Sequence, residues 1–172
     1  MKFVKLAAAS AMMVALAGCA GSVSHPVAVS ALSADQLSTV HISDVSSDAA
    51  DGVNMTSGDF GLINFKVRNY IQSDSQGVIV DPSTHDALTL KMHFTRFDRG
   101  NAVARFILIG LGQIHIDADV LLMKTDGTVV GKYKVKKTFA LGGVLGAVTR
   151  VEEVEDGFAR SVAEVVKQKA AA

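Results

Sequence analysis

The chain has 172 residues, 17 basic and 17 acidic side chains, and a formal net charge of zero. That balance supplies no electrostatic footprint for nucleic acid, and the single cysteine, Cys19, excludes an intramolecular disulfide. Once an export signal is subtracted, the length allows one domain held together by its own core.

Lys2 and Lys5 precede an apolar run from Leu6 to Ala15 that only Ser10 interrupts, and small residues follow, which is the three-part pattern of an export signal. At roughly ten residues the run is about half of what a bilayer core requires, so a permanent transmembrane helix is not expected. Leu16-Ala17-Gly18-Cys19 then resembles the bacterial lipobox, in which Leu, two small residues and Cys are read by the lipoprotein signal peptidase. The resemblance implies that Cys19 gains a diacylglycerol thioether, that the chain is cut between Gly18 and Cys19, and that the new amino group is acylated. Two or more acyl chains hold a protein on a membrane where one does not. A lone thiol would be a liability in an oxidising compartment, and lipidation removes it. Ala20 rather than Asp follows the cysteine, and by resemblance to the enterobacterial sorting rule this implies the outer membrane, with the domain facing the periplasm.

Ala20 to Ala34 is rich in Ala, Ser and Val, contains Pro26 and shows no sustained period, so residues 19–34 are expected to be a lipidated tether. A single domain is expected over 35–169, with a disordered tail at 170–172. From Thr39 to Val45 apolar and polar residues roughly alternate, Val40 and Ile42 against His41 and Ser43, which predicts a first strand. Ser46 to Gly58 is then polar and reads as a loop. Thr56 to Asp59 forms a capping box for a helix whose apolar positions are Phe60, Ile63, Val67, Tyr70 and Ile71, running to about Gln72. Gly77 and Val78 to Val80 suggest a return strand ended by Asp81-Pro82.

Leu88, Leu90, Met92 and Phe94 alternate with Thr89, Lys91, His93 and Thr95, the signature of a strand with one buried face. Asp126-Gly127 predicts a two-residue type I′ hairpin turn. Counting outward from it pairs Val120 with Tyr133, Ala118 with Val135 and Ile114 with Phe139 on the buried face, and Asp119 with Lys134 and Asp117 with Lys136 on the other. Ile116 opposite Lys137 is the flaw in that register. Thr149 to Glu152 caps a last helix through Val151, Val154, Phe158, Val162 and Val165, acidic at its start and basic at its end, as the helix dipole favours. The expected fold is α+β: a mostly antiparallel sheet of four to five strands with both amphipathic helices on one face, in the order β-α-β-β-β-β-α.

Gly100-Asn101-Ala102-Val103-Ala104-Arg105, then Gly110-Leu111-Gly112, the Asp126-Gly127 turn and the terminal amphipathic helix resemble a family of small bacterial lipoproteins catalogued as a domain of unknown function, number forty-four ten. The resemblance runs from about Asp35 to Lys167. It implies a compact α+β domain in the cell envelope and implies no activity.

The residues offer little chemistry of their own. His115, Asp117 and Asp119 share one face of a strand, yet side chains two apart on a strand run parallel and do not converge on a metal. Leu141-Gly142-Gly143-Val144-Leu145-Gly146 lacks the Lys-Ser or Lys-Thr of a phosphate loop, and no serine sits in a nucleophile elbow. Glu152, Glu153, Glu155 and Asp156 read as a solvated helix start. What stands out is that the hairpin register brings Ala102 to Gly112 and Ala140 to Val148 out of the sheet side by side. Arg105, Phe106, Ile109, Gly110, Leu111, Gly112, Leu141, Gly142, Gly143, Val144 and Leu145 form the candidate surface there. Such apolar segments either close the core or, if exposed, mark a contact surface. Arg105 would be a buried ion-pair member in the first case. The expected function is a non-enzymatic outer-membrane lipoprotein, an assembly, scaffolding or adaptor component that meets an envelope protein partner through this edge, with no cofactor, metal or nucleic acid. A carrier of a lipid or other apolar ligand is the alternative, and an unrecognised enzyme a further one.

Overall fold

The computed structural model describes residues 26–74, 79–81, 84, 86–107, 111–140 and 148–167, so the signal segment, Gly18 and Cys19 lie outside the described residues. In chain order the elements are β1 (Val27–Ser30), α1 (Ala34–Ser38), β2 (Ile42–Ala49), α2 (Ser57–Asp74), β3 (Leu88–Asp98), α3 (Ala102–Ile107), β4 (Ile114–Met123), β5 (Val129–Phe139) and α4 (Val151–Lys167). Five strands form one sheet in the order β1-β5-β4-β3-β2. Neighbours are antiparallel except β2 and β3, which are parallel because α2 carries the chain back over one face between them. Three of the four pairings are antiparallel and one is parallel, so the sheet is mixed; the correction is to the element order, which is β-α-β-α-β-α-β-β-α in place of the expected β-α-β-β-β-β-α.

The expected tether gives up its last part to the fold. Val27 to Ser30 pair with β5, Leu32 is buried, and its N–H donates to the Tyr133 hydroxyl at 3.3 Å. Ser33 and Gln36 then close a capping box over α1. All four β1 residues are exposed, and a short edge strand without a buried side shows no alternation to read. The predicted return strand at Val78 to Val80 shrinks, in its described part, to a single parallel bridge between Ile79 and Ile42. β2 continues to Ala49, into the stretch expected to be loop.

Thr56 and Asp59 cap α2 as expected: the Asp59 N–H donates to the Thr56 hydroxyl at 3.3 Å, and the Thr56 N–H to the Asp59 carboxylate at 2.7 Å. Ile63, Val67 and Ile71 of α2 and Val154, Phe158, Val162 and Val165 of α4 are buried against the alternating inward residues of β3, β4 and β5. The Phe94 ring lies 5.5 Å from Phe158 and 6.2 Å from Phe60, which ties the sheet to both helices at one point.

The β4–β5 register is the expected one: Val120 faces Tyr133, Ala118 faces Val135 and Ile114 faces Phe139. The turn that sets it is different. The Gly127 N–H donates to the Lys124 carbonyl and the Lys124 N–H to that of Thr128, so the loop has three residues, with Gly127 at φ 84°. Val130 is the extra residue between the pairs Leu122–Gly131 and Met123–Val129, and this bulge restores the two-residue count. Lys137 opposite Ile116 is accommodated by Gly157 of α4, where a Cβ would come within 2.9 Å of the Lys137 Cε. The lysine stem passes under the helix at the one place without a side chain. Asp119 pairs with Lys132 at 2.9 Å, the diagonal neighbour, and not with Lys134 opposite it.

Candidate functional site

A bulge between Phe94 and Arg96 reverses the alternation at the end of β3, turning Phe97 inward. The Asp98 carboxylate then accepts from the Gly100 N–H at 2.8 Å, and Gly100 turns the chain at φ 64°. The Asn101 N–H donates to the Gly112 carbonyl at 3.1 Å, which closes the base of the connection to β4. The Asn101 side chain accepts from the Ala104 N–H at 3.0 Å and so caps α3. Each residue of the Gly-Asn pair thus has a structural task.

The helix started this way is apolar on its open side. Val103, Phe106 and Ile107, at helical spacing, are 66%, 56% and 67% exposed. Leu111 beyond it is 54% exposed, and Val148, which precedes α4, is 63% exposed. Phe139, Thr149 and Val154 line a common recess, so Val148 lies at the same end of the sheet as the close of β5. Of the two alternatives, core closure or an exposed surface, Phe106, Ile107 and Leu111 take the second: the layer between sheet and helices is filled by residues of β2 to β5, α2 and α4, which leaves these side chains outside.

Of the sequence-derived surface, Phe106, Leu111 and Gly112 come together here. Arg105 is on α3 with its side chain outside the description, and Ile109, Gly110, Leu141, Gly142, Gly143, Val144 and Leu145 lie outside the described residues. Sequence reasoning misses Val103 and Val148. The spacing of Val103 with Phe106 and Ile107 is the signal for the first, and it is easily passed over because a six-residue helix between glycines reads as loop.

Beside this apolar group, Asp98, Asn101, Gln113 and His115 line a shallow recess of about 530 Å³. His115 lies opposite Thr138, 3.2 Å from its hydroxyl, and burial together with the nearby Arg96 guanidinium holds its pKa below the usual 6.5. It is neutral at neutral pH. Among the described residues no three His, Cys, Asp or Glu side chains are placed to share a metal. Asp119 goes to Lys132, and His93 contacts Asp48 at 2.6 Å. Burial raises the affinity of Asp48 for a proton, but hydrogen bonds and charge from Lys91 and His93 outweigh it and lower its pKa. At Asp59 burial is likewise outweighed, by Thr56 and by Arg99 at 2.6 Å.

The acidic start of α4 is only partly solvated, which corrects the expectation of a solvated helix start. Glu152 and Glu153 are exposed, whereas Glu155 is buried, with Oε2 lacking a hydrogen-bond partner among the described residues and 3.8 Å from Lys66 Nζ. Burial pushes its pKa up, Lys66 opposes that, and Glu152 and Asp59 add to it. Lys66 also donates to the Glu152 carbonyl at 2.8 Å, and the Tyr70 hydroxyl to Asp156 at 2.7 Å, so these polar groups hold α2 to α4. Among the described residues no helix is long and apolar enough to cross a membrane.

A model of the family described as a domain of unknown function, DUF4410, matches residues 40–143. No curated protein matches the sequence. Among solved structures, the chain is similar to a single-substitution variant of the PelC dodecamer from Paraburkholderia phytofirmans, with 12% identity and a TM-score of 0.53 over 87% of this chain and 99% of that one. A second PelC dodecamer structure from the same organism gives 12% identity and a TM-score of 0.50 over 85% and 96% of the two chains. A candidate lipoprotein from Caulobacter crescentus CB15 gives 16% identity and a TM-score of 0.37 over 78% and 92%. At these identities the PelC likeness shows a shared fold.

Proposed function

The chain belongs to the DUF4410 family, and since that description names no activity, we propose from the site itself that it is a non-enzymatic lipoprotein of the outer membrane whose periplasmic domain works by contact, as an assembly, scaffolding or adaptor component. The observation that carries this reading is the gathering of Val103, Phe106, Ile107, Leu111 and Val148, all exposed, at one end of a sheet whose other large apolar side chains are mostly buried. Contiguous exposed apolar surface costs solubility and generally marks a contact site. The lipobox-like Leu16 to Cys19 supports attachment to a membrane, and Ala20 supports the outer one. The shifted carboxyls and His115 have structural partners or burial as their cause, which supports a contact role over a catalytic one. The filled layer between sheet and helices favours this reading over a carrier of an apolar ligand. PelC, which shares the fold, forms dodecamers, so a second copy of this chain is one contact that an assembly component can make.

In-cell photo-crosslinking from Phe106 and Leu111, with exposed Lys134 as the comparison, tests the proposal. A discrete adduct from the two apolar positions, with a lipid, another protein or a second copy, is the expected result. No adduct, or the same adducts from Lys134, contradicts it.

A further inference from the structure

We propose that the apolar end of the domain docks on the lipid surface that holds the protein's own anchor, so that the sheet stands end-on to the bilayer. This rests on the contact reading above, including lipidation of Cys19, and names what the surface contacts.

The path by which the chain enters the fold points that way. β1 is antiparallel to β5, with Val27 opposite Lys134, so moving back from Val27 leads toward the Phe139 end of β5. Phe139 faces Ile114 at the start of β4, and His115 faces Asp98 at the close of β3. Traced backward, β1 therefore points toward the end of the sheet that carries α3, Leu111 and Val148. Fully extended, the segment from Cys19 to Pro26 spans at most about 25 Å. Val27 lies roughly 17 Å short of the Phe139 end, given the rise per strand residue. Cys19 can thus reach on the order of 10 Å beyond the apolar end. In the other direction the Asp126-Gly127 turn lies about 23 Å from Val27, and the same segment is nearly exhausted before it gets there.

Acyl chains on so short a lead hold the domain against the bilayer, and its surfaces differ in what they gain there. The open face of the sheet carries ion pairs, Lys91 with Asp48 and Lys132 with Asp119. Those groups gain nothing from a hydrocarbon boundary. The apolar side of α3 does, lying like a short interfacial helix with Phe106 and Ile107 toward the acyl chains.

The test uses the full mature lipoprotein reconstituted in vesicles of phosphatidylethanolamine and phosphatidylglycerol that contain nitroxide-labelled lipid. Because the Cys19 sulfur is consumed by the thioether, a cysteine at Phe106→Cys or Leu111→Cys is the only free thiol for a fluorophore. Thr125→Cys at the opposite end and Lys134→Cys on the sheet face are the comparisons. Quenching several-fold stronger at 106 and 111 than at 125 and 134 is expected. Equal quenching at all four, or the strongest at 125, overturns the proposal. Adding Phe106→Glu and Ile107→Glu to the Leu111→Cys protein should lower its quenching several-fold while the protein still floats with the vesicles. Unchanged quenching also overturns it. Failure of the lipidation reading looks different, since the protein then fails to float and Cys19 itself takes the label. Failure of lipid docking alone leaves floating protein without selective quenching, while in-cell adducts to a protein from Phe106 would keep the contact reading.

Discussion

Phe94→Ala is expected to lower the unfolding free energy by about 3–5 kcal/mol, the range for deleting a buried phenylalanine. The residue has no exposed surface, and its ring is the contact shared by the sheet, by Phe60 on α2 and by Phe158 on α4. Removing it opens a cavity where three elements meet, and no single one can move in without leaving the other two. Against a typical domain stability of about 5–15 kcal/mol, such a loss is about a fifth of the total at the least. The melting temperature should fall by on the order of 10 °C. Phe94→Leu keeps most of the volume and should cost less than half as much. Urea unfolding of the three proteins checks this, and a loss below about 1 kcal/mol for Phe94→Ala would contradict the packing described.

The second large effect concerns Lys66 and Glu155. Glu155 is buried with its pKa raised above 4.5; Lys66 is the main cation that opposes the shift, and Arg99 adds a smaller opposing effect. A raised folded-state value means that the native protein holds this proton more tightly than the unfolded chain does. The resulting stability is fully present below the ordinary value of 4.5 and is lost as pH rises through the folded value. Lys66→Met removes the compensating charge and should cost about 3 kcal/mol at pH 7, the lower part of the range for breaking a buried pair, since Lys66 keeps some solvent contact. Below 4.5 the carboxyl is neutral in both states, so the cost should shrink there. Glu155→Gln in the Lys66→Met background should recover most of the loss at pH 7, and urea unfolding at the two pH values reads all of it. A Lys66→Met loss that is independent of pH would mean that the lysine acts only through its stem and its bond to the Glu152 carbonyl.

Much of this architecture is legible in the residues, for identifiable reasons. The β4–β5 register follows from alternation on both strands and survives a wrong turn type, because the bulge at Val130 compensates for the three-residue loop. Both long helices are announced by their apolar spacing, and α2 also by its cap, Thr56 with Asp59. β1 is not legible, since an exposed edge strand of four residues has no buried face to impose a pattern. The parallel pairing of β2 with β3 is hidden as well: Ser43 is buried and gives its hydroxyl hydrogen bond to the Leu88 carbonyl, so polarity there misreports the inward side. At the candidate site, composition marks Phe106 and Leu111 but not their exposure. Apolar runs usually go inside, and only the filled layer of Ile63, Val67, Phe94 and Phe158 shows that there is no room. Glu155 is the converse case, a carboxylate in an acidic run that the turn of α4 rotates into the interface with α2.

Attachment through Cys19 underlies both the proposed role and the proposed orientation, and fractionating cells that express Cys19→Ala tests it most directly. The variant is expected to leave the membrane fraction as a soluble domain or to accumulate as an uncleaved precursor, while the unaltered protein stays with the membrane at its mature size. A Cys19→Ala protein found at mature size in the membrane fraction, in the same amount as the unaltered protein, would contradict attachment through Cys19.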